Sequence, residues 1–463
     1  MMRMVALRMT NVSATKSSFQ HGVSGMVLLG ALVLAALGLG ANRCRADDAI
    51  PRDPEPRWWK GNIHTHTLWS DGDDFPEMVA EWYRERDYHF LALSDHNILS
   101  EGQRWMSVEA ITKRGGDQVI PKYRARFGPH WVETRGDAEA GDAEVRLKPL
   151  DEFRALVEER GKFLMIVGEE ISDSVSGKPI HMNATNLRDL LQPLGGPTVA
   201  MAIRANLRNA EDQAQRLGRE IIVHLNHPNF HYAVTAEDLA EAIEERYFEV
   251  YNGHPGVAHE GDAEHPSVER IWDVANTLRL LHWQAPPLMG VATDDSHAYH
   301  GEQGSTPGRG WIMVRARHLS PESLIRAMKA GDFYASSGVL LDRIEYDQSS
   351  KTLHVKVQSD GDAAFTIEFL GTRLPTTKSS LPKNPSQDET LLGESTPLEI
   401  PSEAIGTVLA RHESREASYT LTGDELYVRA CITSSLPHEN PSFKNQKQQA
   451  WTQPVGWDAH VKP

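Results

Sequence analysis

The stretch WWKGNIHTHTLWSDGDD, residues Trp58 to Asp74, carries a His-x-His pair followed at once by an acidic turn. Residues 60–64 read as a short strand. Side chains alternate along a strand, so His64 and His66 share one face. Two imidazoles side by side suit a metal ion better than they suit a core. Whether they form a site depends on what the other strands carry.

Strand-like runs recur at residues 89–94, 163–168, 181–186, 221–226, 247–251, 288–293 and 310–315. Helical periodicity separates many of them. Phe75, Met78, Val79 and Trp82 stand at i, i+3, i+4 and i+7, and residues 151–160, 199–217, 235–246, 267–281 and 321–330 read the same way. Thr235 with Asp238 predicts a capping box, and Ser320-Pro321 a helix start. Alternating β and α predicts a parallel sheet, open or closed into a barrel. Residues 101–147 break this rhythm with Lys113, Arg114, Lys122, Arg124 and Arg126, and read as a lid or as a solvated excursion. From about Leu340 apolar and polar residues alternate, which predicts a small antiparallel β-sandwich with a polar loop between Thr372 and Pro401. Structural support is its expected role, with polymer binding or association as alternatives.

The composition sets outer bounds. A chain of 463 residues with 40% hydrophobic content has room for two domains and a processed segment. A net charge of −16 argues against nucleic-acid or anionic-membrane binding through bulk electrostatics. Arg3, Arg8 and Lys16 precede the apolar run 25–41, and a small residue, Ala46, follows it. Residues 1–46 therefore read as an export signal or, uncleaved, a membrane anchor, and residues 47–57 as a linker. The expected location is periplasmic or extracellular. Only Cys44 and Cys431 are present, so cleavage after Ala46 leaves no internal disulfide.

Nearly every proposed strand carries or borders a metal-binding residue type. His64, His66 and Asp71 attend the first, Asp95 and His96 the second, and Glu169 and Glu170 the third. His181 begins the fourth, His224 and His227 attend the fifth, and Asp294, Asp295 and His297 follow the seventh. In a parallel α/β architecture such residues gather at the carboxyl ends of the strands. Histidines mixed with carboxylates, without cysteine, suit Zn, Mn or Fe. The donors outnumber what one ion needs, which predicts two or three divalent ions and an acidified water as nucleophile.

His64-Thr65-His66 with Asp71-Gly72, Ser94-Asp95-His96, Gly168-Glu169-Glu170-Ile171-Ser172, His181, Asn226-His227-Pro228 and Asp295-Ser296-His297 together resemble the PHP (polymerase and histidinol phosphatase) family. The order and spacing match over residues 58–339. The resemblance implies a distorted (β/α)7 barrel, a trinuclear metal site and phosphoesterase activity on a small phosphorylated substrate. It also implies His64, His66, Asp71, His96, Glu170, His181, His227, Asp295 and His297 as ligands, with Glu170 bridging. Asp95 is expected to orient His96 or another ligand, and Arg309 either contacts a substrate phosphate or forms a structural ion pair. His224 is expected behind the ligands, while His254, His259, His265 and His300 lie in loops. The fold expectation is thus an α/β barrel over 58–339 followed by a β-sandwich over 340–463. Two other functions fit the residues: an amidohydrolase-like hydrolase of an amide, ester or lactone, and a non-catalytic carbohydrate- or surface-binding protein. The Asp95-His96 pair and the Asp295-x-His297 ending favour the phosphoesterase.

Overall fold

Short apolar runs between polar turns become the strands of a mixed α/β protein built on one large sheet. The computed structural model describes residues 53–137, 139–301, 303–358, 361–374 and 400–461. The signal or anchor expected over 1–46, residues 47–52 of the linker and most of the polar loop after Thr372 lie outside these residues. No helix among the described residues is long and apolar enough to cross a membrane.

The strands are β1 (Arg57–Asn62), β2 (Phe90–Leu93), β3 (Arg104–Ser107), β4 (Thr134–Arg135), β5 (Glu144–Leu147), β6 (Leu164–Val175), β7 (Lys178–Thr185), β8 (Ile222–Leu225), β9 (Tyr247–Asn252) and β10 (Met289–Thr293). They continue with β11 (Trp311–Ala316), β12 (Phe333–Ser336), β13 (Leu341–Asp347), β14 (Thr352–Val357), β15 (Phe365–Arg373), β16 (Thr407–Glu413), β17 (Glu416–Thr420), β18 (Glu425–Pro437) and β19 (Lys447–Trp451). The α-helices are α1 (Pro76–Arg84), α2 (Val108–Gly115), α3 (Val119–Phe127), α4 (Leu150–Val157), α5 (Val199–Leu217), α6 (Ala236–Glu241), α7 (Val268–Leu278) and α8 (Pro321–Lys329). Local chemistry sets several ends. Thr235 and Asp238 form the reciprocal capping box of α6, and Ser320 caps α8 with Pro321 in its first turn.

Thirteen strands form the main sheet in the order β10-β9-β8-β7-β6-β2-β1-β11-β12-β19-β18-β15-β16. The expected parallel pairing holds for β1–β2–β6 and for β8–β9–β10. Between these runs β7 is antiparallel to both neighbours. The cause is a two-residue hairpin: Val175 faces Lys178 across Ser176 and Gly177, whose φ values are 51° and 80°. Positive φ at both positions matches the twist of tightly joined strands. Because β7 runs backwards, His181 near its start lies opposite Ser172, beyond the point where β6 leaves its parallel neighbour. Past their ends, β1 and β10 also meet: His66 N–H donates to Ser296 C=O (3.0 Å) and Asp295 N–H to His64 C=O (3.1 Å).

Strands β2, β8 and β10 are buried along their whole length, as expected of strands covered on both faces. Residues 101–147 are neither a bare loop nor a solvated excursion. They fold into the small sheet β3-β5-β4 with α2 and α3, and share a core with Leu68, Trp69 and Phe75 through Ile111, Tyr123, Val145 and Leu147. Beyond residue 340 the sheet β13-β14-β17 buries Leu353 and Val355 in one cluster with Ile367 and Phe369 of β15 and Val428 and Ile432 of β18. This region is hydrogen-bonded into the main sheet, with Ala335 and Ser336 of β12 opposite Trp451 and Ala450 of β19.

Candidate metal centre

Successive strand ends deliver the donors. His64 and His66 extend past β1, with ring centroids 5.2 Å apart. Asp71 lies on the loop between β1 and α1, His96 follows β2, Glu170 sits within β6 and His181 within β7. His227 follows β8, and Asp295 and His297 follow β10. His227 and Asp295 hold positive φ, 24° and 48°, a conformation that costs free energy and is found at sites where the surroundings enforce it.

Glu170 is the hub. Its Oε2 lies 2.8 Å from His96 Nδ1, 3.3 Å from His66 Nε2 and 3.5 Å from His64 Nε2. Its Oε1 lies 3.0 Å from His181 Nδ1 and 3.7 Å from His227 Nε2. Asp295 Oδ1 stands 3.1 Å from His64 Nε2 and 3.2 Å from His66 Nε2. Asp71 faces His297 Nε2 at 3.4 Å and His96 Nε2 at 3.5 Å. Eight of these residues form three groups with mutually close donor atoms: His64, His66 and Asp295; His96, Glu170 and His181; and His66, Asp71, His96 and His297. His227 belongs to none of the three and adjoins them through Glu170 Oε1 at 3.7 Å.

The fit to a cation can be tested on the atoms themselves. His64 Nε2, His66 Nε2 and Glu170 Oε2 are buried with no hydrogen-bond partner. Leaving such a group unsatisfied costs about 1–3 kcal/mol each. Acceptors that converge in this way without a Lys or Arg among them match divalent cations. The electrostatics agree. Burial opposes ionisation of Glu170, but His96, His181 and His64 hold its carboxyl well below the usual range. Asp295 is lowered in the same way by His64 and His66. Burial, reinforced by His297, pushes His66 down to about 3, so it is neutral. Burial would lower His96 too, yet Glu170 and Asp71 raise it to about 11. Deprotonated carboxylates and neutral imidazoles are the forms that bind metal, so His96 must release its proton to join them.

A residue not singled out in the sequence, Glu249 on β9, fixes this arrangement from behind. Its Oε1 lies 2.7 Å from His64 Nδ1 and accepts from Thr293 Oγ1 (2.6 Å). Its Oε2 accepts from His227 N–H (2.8 Å) and Asn252 Nδ2 (2.7 Å). A carboxylate on Nδ1 leaves Nε2 of His64 free to ligate. The signal was a lone acid within the apolar run YFEVYN. His224 stands behind the donors as expected, with Nε2 3.4 Å from Glu249 Oε1.

Of two expected roles, Asp95 takes the alternative, a ligand other than His96, and Arg309 is corrected. Asp95 does not hold His96; its carboxylate accepts from Thr67 N–H and Oγ1 and from Ser70 N–H and Oγ. It therefore secures the loop that leads to Asp71, while His96 Nδ1 meets Ser172 Oγ at 2.5 Å. Arg309 is buried and directs Nη1 at the carbonyls of Gly253 and Gly304, so it is not presented to a ligand. The neighbouring acids also have structural duties. Asp294 accepts from Tyr83 Oη and from the N–H groups of Gly308, Arg309 and Gly310. Glu169, on the opposite face of β6 from Glu170, accepts from Leu191 N–H, and burial raises it to about 8. Of the loop histidines, His254 stands nearest, its ring centroid 5.8 Å from that of His297, whereas His259 is tied to Asn252 C=O, His265 to Asp262 and His300 to Asp74.

The mixed α/β sheet gathers histidines and carboxylates at its strand ends in groups that could hold metal ions. Among solved structures, the chain is similar to a two-domain protein from Bacteroides vulgatus containing a predicted PHP-like metal-dependent phosphoesterase, at 13% identity over 88% of this chain and 98% of that one, with a TM-score of 0.37. It is also similar to a Bifidobacterium adolescentis chain described as a putative metal-dependent phosphoesterase, at 14% identity over 60% of this chain and 97% of that one, with a TM-score of 0.28. No family model and no curated protein matches the sequence.

Proposed function

We propose that this chain is a metal-dependent phosphoesterase acting on a small phosphorylated molecule. The observation that carries this reading is Glu170, whose Oε2 faces His64, His66 and His96 while its Oε1 faces His181 and His227. A carboxylate whose two oxygens face different sets of donors suits a cluster of ions rather than a single one, and such clusters clamp the oxygens of a phosphoryl group. Bound divalent ions would supply positive charge to those oxygens and acidify a water. The chain's own residues set orientation and access. His64, His66 and Glu170 are at most 1% exposed, whereas Asp71 is 53%, His96 28% and His297 22% exposed. Substrate therefore enters on the side of Asp71, His96 and His297. Local cations would also explain how so acidic a chain handles a phosphate.

The reading includes a distorted (β/α)7 barrel made of β1, β2 and β6 to β10. The backbone hydrogen bonds joining His64 and His66 to Asp295 and Ser296 support its closure. Residues 340–463 are assigned to support of that barrel, and residues 1–46 to export.

The test is phosphate release from an aryl phosphate, set against acyl release from an aryl ester, by metal-supplemented residues 47–463. The double variant His64→Ala, His66→Ala is expected to lose both metal and phosphate release. Acyl release without phosphate release would instead support an amidohydrolase-like activity, and a folded chain that takes up no metal would overturn the catalytic reading.

A further inference from the structure

Asp71, on the loop between β1 and α1, differs from the other donors in being half exposed. The segment 101–147 is seated against that loop. Arg114, at the end of α2, donates from Nη1 to the Ser70 carbonyl (2.5 Å) and to the Gly72 carbonyl (3.3 Å), the two carbonyls that flank Asp71. Gly115 packs so closely behind it that an added Cβ would lie 2.6 Å from the Asp73 carbonyl oxygen and 2.9 Å from His300 Cδ2. The seat is stiff. Tyr123 stacks on Phe75 with centroids 3.8 Å apart, and Tyr123 Oη and Trp131 Nε1 both donate to Glu77 of α1, at 2.5 and 2.9 Å. Arg126 pairs with Glu81 one turn further along.

We propose that Arg114 is a positioning residue for the donor group His66, Asp71, His96 and His297, an inference that rests on the metal-centre reading. Asp95 holds the loop from inside through Ser70, and Arg114 holds it from outside through the flanking carbonyls. Together they hold Ser70 and Gly72, the residues on either side of Asp71, and so limit where its carboxylate points. The other two donor groups lack Asp71 and have no such dependence on residues 101–147. Partners that orient a ligand typically contribute about 10- to 100-fold in metal affinity.

The experiment titrates metal-depleted residues 47–463 with Mn²⁺ across buffered free concentrations and counts bound ions by elemental analysis. Three ions are expected in the parent. Arg114→Ala should weaken one of them about 10- to 100-fold and leave two unchanged, as should Asp71→Asn. Lys113→Ala, on the same helix and exposed, should alter none. If the alanine variant fails to fold, Arg114→Gln decides, because its shorter side chain ends short of the two carbonyls that Arg114 Nη1 reaches, and the same ion should weaken. Equal affinities for all three ions in the parent and the Arg114 variants would overturn the proposal. So would a parent that takes up only two ions, with the metal centre itself standing. A parent that binds none would instead remove the metal-centre reading.

Discussion

Two buried charge clusters in this molecule solve the same electrostatic problem in opposite ways. Where α7 meets β18, Arg429 is fully buried, yet its Nε and Nη2 reach both oxygens of Asp273 at 2.9 and 2.8 Å. Its Nη1 reaches Glu269 at 3.0 Å, and Tyr427 Oη adds a fourth bond, to Asp273 at 2.7 Å. The buried Arg429–Asp273 pair is matched in charge, Glu269 is partly exposed, and each Arg429 nitrogen has an acceptor, so the cluster joins two elements and asks nothing of a ligand. At the strand ends, Glu170 and Asp295 face imidazole nitrogens that hydrogen bonds leave unpaired. Burial of charge is common to both. What marks the site is convergence of acceptors with no Lys or Arg among them. Glu77 offers a third solution: buried beside Tyr123 and Trp131, it holds its proton up to about pH 7.

The sharpest way to break this comparison is at Glu170. Replacing it with Gln removes the charge shared by the inner histidines, and phosphate release should fall on the order of a thousandfold. Elemental analysis should show fewer bound ions; full metal content in Glu170→Gln would mean that the hub is no ligand. The opposite cluster should respond in the opposite currency. Arg429→Met leaves Asp273 buried and uncompensated and should cost about 3–5 kcal/mol in denaturant unfolding, with metal uptake unchanged. A change in metal content there would show that the two clusters are coupled.

The smallest effect sharpens the third case. Burial pushes Glu77 up to about 7, against the pull of its Tyr123 and Trp131 hydrogen bonds, from an ordinary value of 4.5. The folded state then holds a proton that the unfolded state releases between these values. Stability from that proton is complete below about pH 4.5 and is lost as pH rises through about 7. Glu77→Gln does not titrate, so its stability relative to the parent should rise by up to about 3 kcal/mol between pH 4.5 and 8. Urea unfolding at those two pH values measures it; an unchanged gap would mean that Glu77 titrates normally.

Much of the centre is legible in the amino-acid sequence. Histidines and acids stand next to short apolar runs, and those runs form β1, β2, β6 to β10 and β11 with shifts of a few residues at most, save the long hairpin extension of β6. Burial on both faces leaves such strands little choice of conformation, so motifs at their ends are carried to one side of the sheet. Ser176-Gly177 also signals a tight reversal, yet the pattern of alternating strand and helix conceals that β7 turns back. Glu249 is hidden for a different reason. One acid within a strand reads as an exposed alternate position, and only the enclosure of β9 between β8 and β10 turns it inward upon His64.

By itself, then, the sequence determined which residue types could bind metal and at which strand ends they would stand, because hydrophobic patterning is local. Motif resemblance named which of two adjacent acids faces the cluster, and tertiary structure supplied the reason. It turned Glu170 and Asp295 inward and committed Glu169 and Asp294 to backbone N–H groups. It also spent Asp95 and Arg309 on loops, and seated residues 101–147 against Asp71. Those outcomes depend on which donors and acceptors come within about 3 Å across long sequence separations, and spacing along the chain carries no such distance.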